Sequence, residues 1–279
     1  MKKILLIITA LLFSYLSNAQ TKAVRVAVSG KGEPILFLPG FTTPGSVWND
    51  VIGNLYIEKQ SHTVSYAGFN NIQPIDTPWY PAIRQELIQY IERSNQQNWT
   101  IIGHSLGGNL AVDLAAALPR QVNKLILVDA IPCMRALMMP GVKASQLHYQ
   151  SPYNLRMIQM NDTDFYNTAK MMASAMTSNK SKVDTLIQWS VTADRNTFVY
   201  GYTDLLKLDL RDILPSVKAS TLILGAPFPD SGTVQKTYDS QYAGLKTKAI
   251  EIAPDGRHFI MFDQPGWLYT KINNFLKNE

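Results

Sequence analysis

Hydrophobic and polar positions follow two rhythms along this chain. Short runs rich in Ile, Leu and Val, several bounded by Gly, Pro or Asp, fall at Val24–Val28, Ile35–Leu38, Thr63–Tyr66, Thr100–Ile102, Lys124–Val128, Thr221–Leu224 and Lys248–Ile252. Several of these runs lack the polar alternation of a half-exposed sheet, so they predict strands covered on both faces. Between them lie stretches with helical spacing: Val47–Glu58, Pro81–Arg93, Leu106–Leu118 and Trp267–Leu276. The Leu106–Leu118 stretch is rich in Ala and Leu and stops at Pro119, which predicts a helix packed closely on a sheet. Strand and helix in alternation predict an α/β fold with a doubly wound, mostly parallel sheet.

Residues 132–206 break this rhythm. No buried-strand run occurs there, but amphipathic stretches do, together with Met134, Met138, Met139, Met157, Met160, Met171, Met172 and Met176. A helical insertion is expected, dividing an α/β core into residues 20–131 and 207–279. Its methionines either fill the insertion's own small core or line an apolar pocket beneath a cap, and both uses are compatible.

The first residues form a third pattern. Lys2 and Lys3 precede the apolar run Ile4–Leu12, and Ser17-Asn18-Ala19 places small residues before a cut. Residues 1–19 therefore read as a secretory signal peptide cleaved before Gln20, sending the chain to the periplasm or outside the cell. The run is shorter than the roughly 20 residues that span a bilayer. A lipoprotein is not expected, since no cysteine follows the leader.

Composition adds mainly exclusions. The formal net charge is +5, two units of which belong to Lys2 and Lys3, and no block of like charges occurs. That argues against a nucleic-acid partner. Cys133 is the sole cysteine, so no internal disulfide forms and a small buried hydrophobe is expected. No other apolar run suits stable membrane insertion, and no Cys/His or carboxylate cluster has metal-ligand spacing. Gly103-x-Ser-x-Gly-Gly lacks the early paired glycines of a dinucleotide site, so no cofactor is implied. Asn98-Trp99-Thr100 matches a glycosylation sequon, but Thr100 begins a predicted buried strand.

The chemistry concentrates at Gly103-His104-Ser105-Leu106-Gly107-Gly108, between a predicted strand and a predicted helix. A serine on a sharp strand-to-helix turn needs very small neighbours, and the turn lifts its hydroxyl above the sheet edge where open α/β folds bind ligands. The new helix also directs its N-terminal N–H groups at this point. In this context the segment resembles the nucleophile elbow of the α/β-hydrolase family, and the resemblance covers essentially the whole mature chain. It implies Ser105 as nucleophile and Leu106 N–H as one oxyanion donor. Pro39-Gly40-Phe41 stands where the family commonly has His-Gly, and implies Phe41 N–H as the second donor. His258, in Asp255-Gly256-Arg257-His258-Phe259, occupies the family's general-base position; His104 lies in the elbow and is expected to point away from the serine.

The acid departs from the pattern. In Gly225-Ala226-Pro227-Phe228-Pro229-Asp230, Phe228 stands where a carboxylate is expected and Asp230 follows two residues later. Asp129, at the end of the Lys124–Val128 run, is the other carrier and is favoured slightly, with Asp230 as the alternative. Asp263 is expected to cap or anchor the final helix. These residues imply a serine hydrolase that cleaves carboxylic esters through an acyl-enzyme, on a small, apolar substrate. Hydrolysis of amide, lactone or carbon–carbon bonds uses the same groups. A non-catalytic binding protein of the same fold is the alternative from another class. Serine at the elbow argues against epoxide hydrolases and haloalkane dehalogenases, which use a carboxylate there.

Overall fold

The computed structural model describes residues 22–277, so the leader at 1–19 and its cleavage point lie outside the described residues. Among the described residues the strands are β1 (Val24–Gly30), β2 (Glu33–Leu38), β3 (Lys59–Tyr66), β4 (Trp99–His104), β5 (Val122–Val128), β6 (Ser220–Gly225) and β7 (Lys248–Ile252). They form one sheet in the order β1-β3-β2-β4-β5-β6-β7. Only β1 runs antiparallel to its neighbour β3; the remaining pairs are parallel. All seven apolar runs are therefore strands of a mostly parallel sheet.

The helices are α1 (Asn49–Gly53), α2 (Trp79–Arg93), α3 (Leu106–Ala117), α4 (Met134–Met138), α5 (Pro152–Gln159), α6 (Asp162–Met176), α7 (Lys180–Val191), α8 (Arg195–Lys207), α9 (Ser231–Gln241), α10 (Ile260–Asp263) and α11 (Pro265–Lys277). They cover both faces of the sheet. Along β2, Leu36 and Leu38 join a core shared with α2 and α3, while Ile35 and Phe37 join a second core shared with α1 and α11. In β5 the same split separates Leu125 and Leu127 from Ile126 and Val128. Side chains alternate sides along a strand, so two cores demand apolar residues at every position.

Two expectations change. The stretch Val47–Glu58 is not one helix: a 3-10 turn at Gly45–Trp48 leads into α1, which stops at Gly53. The chain beyond is held by Asn273, which accepts from Tyr56 N–H and donates to Asn54 O, each at 2.8 Å. The second change is α9, a helix absent from the sequence-based expectations. Between β5 and β6 lie α4 to α8 and no strand.

Candidate active site

Strand β4 ends directly in α3, and Ser105 occupies the joint with φ 53° and ψ −121°. The left-handed φ is sterically costly for a residue with a Cβ, so the neighbouring structure must impose it. It does so by close approach. A Cβ on Gly103 would lie 2.2 Å from Gly107 O, and one on Gly107 would lie 2.1 Å from Leu38 O. Ser105 N–H donates to Val128 O at 3.0 Å, which ties the elbow to β5. Leu106 opens α3, so its N–H has no acceptor in the preceding turn. The Gly40–Thr43 turn closes with Thr43 N–H donating to Gly40 O at 3.2 Å. A Cβ on Gly40 would come 3.5 Å from Ser105 Cβ, so this turn passes against the serine. The Phe41 ring is anchored among Phe69, Trp79, Phe198 and Tyr202 at centroid distances of 4.9 to 5.9 Å.

Asp129 follows β5 immediately, also at positive φ (44°). Its Oδ2 accepts from His258 Nδ1–H at 2.6 Å. Its Oδ1 accepts from Ala226 N–H at 2.9 Å and from Tyr238 O–H at 2.8 Å. Burial raises the Asp129 pKa, but the hydrogen bond and charge of His258, then Ala226 N–H and Tyr238, outweigh it and the net shift is downward. An ionised carboxylate can only accept, so His258 Nδ1 carries a proton, and in the neutral ring the lone pair is the one on Nε2. Asp230 is elsewhere: exposed, it caps α9 by accepting from Thr233 N–H at 2.9 Å and Thr233 Oγ1–H at 2.7 Å. Its carboxylate is bonded to Thr233, and that of Asp129 to His258.

His104 is fully buried, and its Nε2–H donates to the His258 backbone carbonyl at 2.9 Å. Burial, then the nearby His258 charge, push its pKa down to about 3, so the ring is a neutral strut under the histidine loop. Asp263 does not cap α11; it belongs to α10 and joins two loops. It accepts from Thr177 Oγ1–H at 2.5 Å, Asn179 N–H at 3.1 Å and Arg257 N–H at 2.8 Å. The segment after α6 and the residue before His258 are thereby tied to one carboxylate. Cys133 is a buried free thiol.

Ser105, Asp129 and His258 line one cavity of about 260 Å³. Met134, Leu137 and Met138 of α4 form its apolar wall with Leu205 of α8, and α9 supplies the opposite side, including Tyr238. The other methionines of the insertion lie away from it: Met157, on the buried face of α5, joins the core, and Met171 is exposed. A larger groove of about 1140 Å³ runs along β1 and α2 and contains none of these side chains. Among the described residues no group of acidic, histidine or cysteine side chains is arranged to hold a metal ion. No helix among them is long and apolar enough to cross a membrane.

A doubly wound sheet with a strained serine between strand and helix, beside a carboxylate-bound histidine, defines a hydrolase architecture. The chain belongs to the alpha/beta hydrolase family, whose model matches residues 35–270, and it is a hydrolase. It is similar to the pimeloyl-(acyl-carrier protein) methyl ester esterase of Aeromonas salmonicida, 29% identical over 270 residues that cover 85% of this chain and 99% of that protein. N-formylmaleamate deformylase of Pseudomonas putida is 22% identical over 269 residues, covering 93% of this chain and 95% of that one. Among solved structures, an esterase from Exiguobacterium antarcticum shares the fold with a TM-score of 0.71 at 19% identity, covering 91% and 96% of the two chains.

Proposed function

We propose that this protein is a serine hydrolase cleaving carboxylic esters of small, uncharged, apolar molecules, with Ser105, His258 and Asp129 as its triad. The observation that carries it is the 2.6 Å bond from His258 Nδ1 to Asp129, in the cavity that also contains Ser105. His258 Nε2 takes the Ser105 proton as Oγ attacks the ester carbonyl, and Asp129 steadies the imidazolium. Phe41 and Leu106 N–H groups receive the oxyanion. The tetrahedral adduct collapses, the alcohol leaves with the proton from His258, and water activated by His258 releases the acid and frees Ser105. No cofactor enters this cycle.

Substrate character follows from the cavity. No lysine or arginine lines it and Asp129 adds a negative charge, so carboxylate-bearing groups are disfavoured. Met134, Leu137, Met138 and Leu205 favour apolar groups. Residues 132–206 act as the cap, and residues 1–19 as the export leader. Similarity to a protein named a deformylase favours a second reading, in which the same groups cleave a carbon–nitrogen bond. Covalent labelling by a fluorophosphonate tests the main reading: the wild type is labelled at Ser105 and Ser105→Ala is not. Labelling that persists in the variant overturns it.

A further inference from the structure

We propose that Tyr238 is a positioning residue of this site, its hydroxyl holding the Asp129 carboxylate in the orientation that serves His258. The inference rests on the reading of Ser105, His258 and Asp129 given above. A carboxylate turns about a broad, roughly two-fold torsion, so a strand end alone does not fix the direction of its oxygens. Here the two oxygens are divided: Oδ2 faces His258, and Oδ1 is held by Ala226 N–H and Tyr238 O–H. Removing the phenol leaves Oδ1 with one of these two donors.

The helix that carries Tyr238 is itself fastened along the segment that carries Asp129. Tyr238, Gln241 and Tyr242 lie three and four residues apart, on one face of α9 and its C-terminal end. Tyr242 O–H donates to Ala130 O at 2.9 Å. Gln241 brackets the Cys133 backbone, accepting from its N–H at 3.1 Å and donating to its carbonyl at 3.2 Å. Gly225 makes room for the tyrosine ring, since a Cβ there would lie 2.7 Å from Tyr238 Cε2. Asp230 starts the helix as its cap. The loop after β6 thus supplies a support for the acid at the end of β5.

A pH profile reads this arrangement. Asp129 is faced by His258 from its loop, His104 from the end of β4, and Tyr238 and Tyr242 from α9 and its end. Burial, then the Asp129 charge, raise both phenols far above their ordinary range, and His104 stays neutral down to about 3. A displaced acidic limb of kcat/KM therefore reports the His258–Asp129 pair. A carboxylate with one donor fewer holds the imidazolium more tightly. Tyr238→Phe should move the limb up by about half a pH unit and lower kcat about tenfold, with KM changed less than about twofold. Tyr242→Phe removes a buried hydroxyl from the end of the same helix and should leave the limb in place. Fluorotyrosine at position 238, a stronger donor that keeps the ring, should move it down. An unmoved limb in Tyr238→Phe, or equal movement in both phenylalanine variants, overturns the proposal.

A second measurement does not depend on turnover. The far-downfield proton resonance of His258 Nδ1–H, identified by its loss in Asp129→Asn, should shift in Tyr238→Phe and stay in Tyr242→Phe. If the wild type hydrolyses no ester, the functional reading fails, and this resonance still decides the role of Tyr238: no shift overturns it.

Discussion

Ser105 and Asp129 share an uncommon feature: each stands at a strand end with a positive φ that a side chain resists. Outliers of this kind persist where the surroundings impose them. At Ser105 the surroundings are Gly103 and Gly107, whose absent side chains admit neighbouring backbone. At Asp129 they are its N–H donating to Leu224 O at 2.8 Å and the three donors on its carboxylate. Asp129→Asn should lower kcat by about a thousandfold or more, because an amide presents the wrong partner to His258 Nδ1–H. Asp230→Asn should cost less than about tenfold, since Asn caps a helix as well as Asp does. Kinetics of the two purified, folded variants decide between them. A crippled Asp230→Asn beside a mild Asp129→Asn would contradict the assignment. Residue types and the strand-to-helix context made Ser105 and His258 legible in the sequence as candidates, and the fold brings both to one cavity. The two aspartates were hard to separate in the sequence, because burial and a third-party donor distinguish them and neither is written locally.

At the scale of elements, legibility followed the breadth of the apolar pattern. Strands buried on both faces were plain, as was α3, which is buried along nearly all its length. Helix α9 was hidden because its buried residues, Val234, Tyr238 and Gln241, make a thin stripe on a polar helix. Its one local signal is the cap, Asp230 followed by Thr233, in the loop where the family pattern places the acid. The methionine pattern marked a helical segment without saying which side chains meet the cavity. Met134 and Met138 of α4 do, and Met157 packs internally. Met134→Ser and Met138→Ser should therefore raise KM more for longer apolar acyl chains than for acetyl esters, by up to about 0.8 kcal/mol for each methylene in contact. Met157→Ser should lower the melting temperature without that chain-length dependence. Equal losses across chain length in all three variants would contradict this division of the segment.

For the molecule as a whole, the site is assembled from the Gly40 turn, the elbow, the end of β5, α9 and the histidine loop. The sheet brings them to one edge, which is why the fold and the candidate site residues are read together. Stability carries a second consequence of the packing. His62 and His104 are both buried, and burial is the leading cause that pushes their pKa values from 6.5 down to about 4 and about 3. As pH falls below 6.5 the unfolded chain binds protons that the folded chain still refuses. Stability should then fall with decreasing pH, by up to about 1.4 kcal/mol per unit for each histidine, until their folded pKa values are reached. Urea unfolding at about pH 7 and about pH 5 measures this; equal stabilities would contradict it.

The central claim, that Ser105 is the nucleophile of an ester hydrolase, is tested most directly by turnover of a short-chain activated ester. The wild type should hydrolyse it. Folded Ser105→Ala should retain less than about one part in a thousand of that rate, since loss of a nucleophile removes orders of magnitude. A folded Ser105→Ala that keeps most of the wild-type activity would contradict the account.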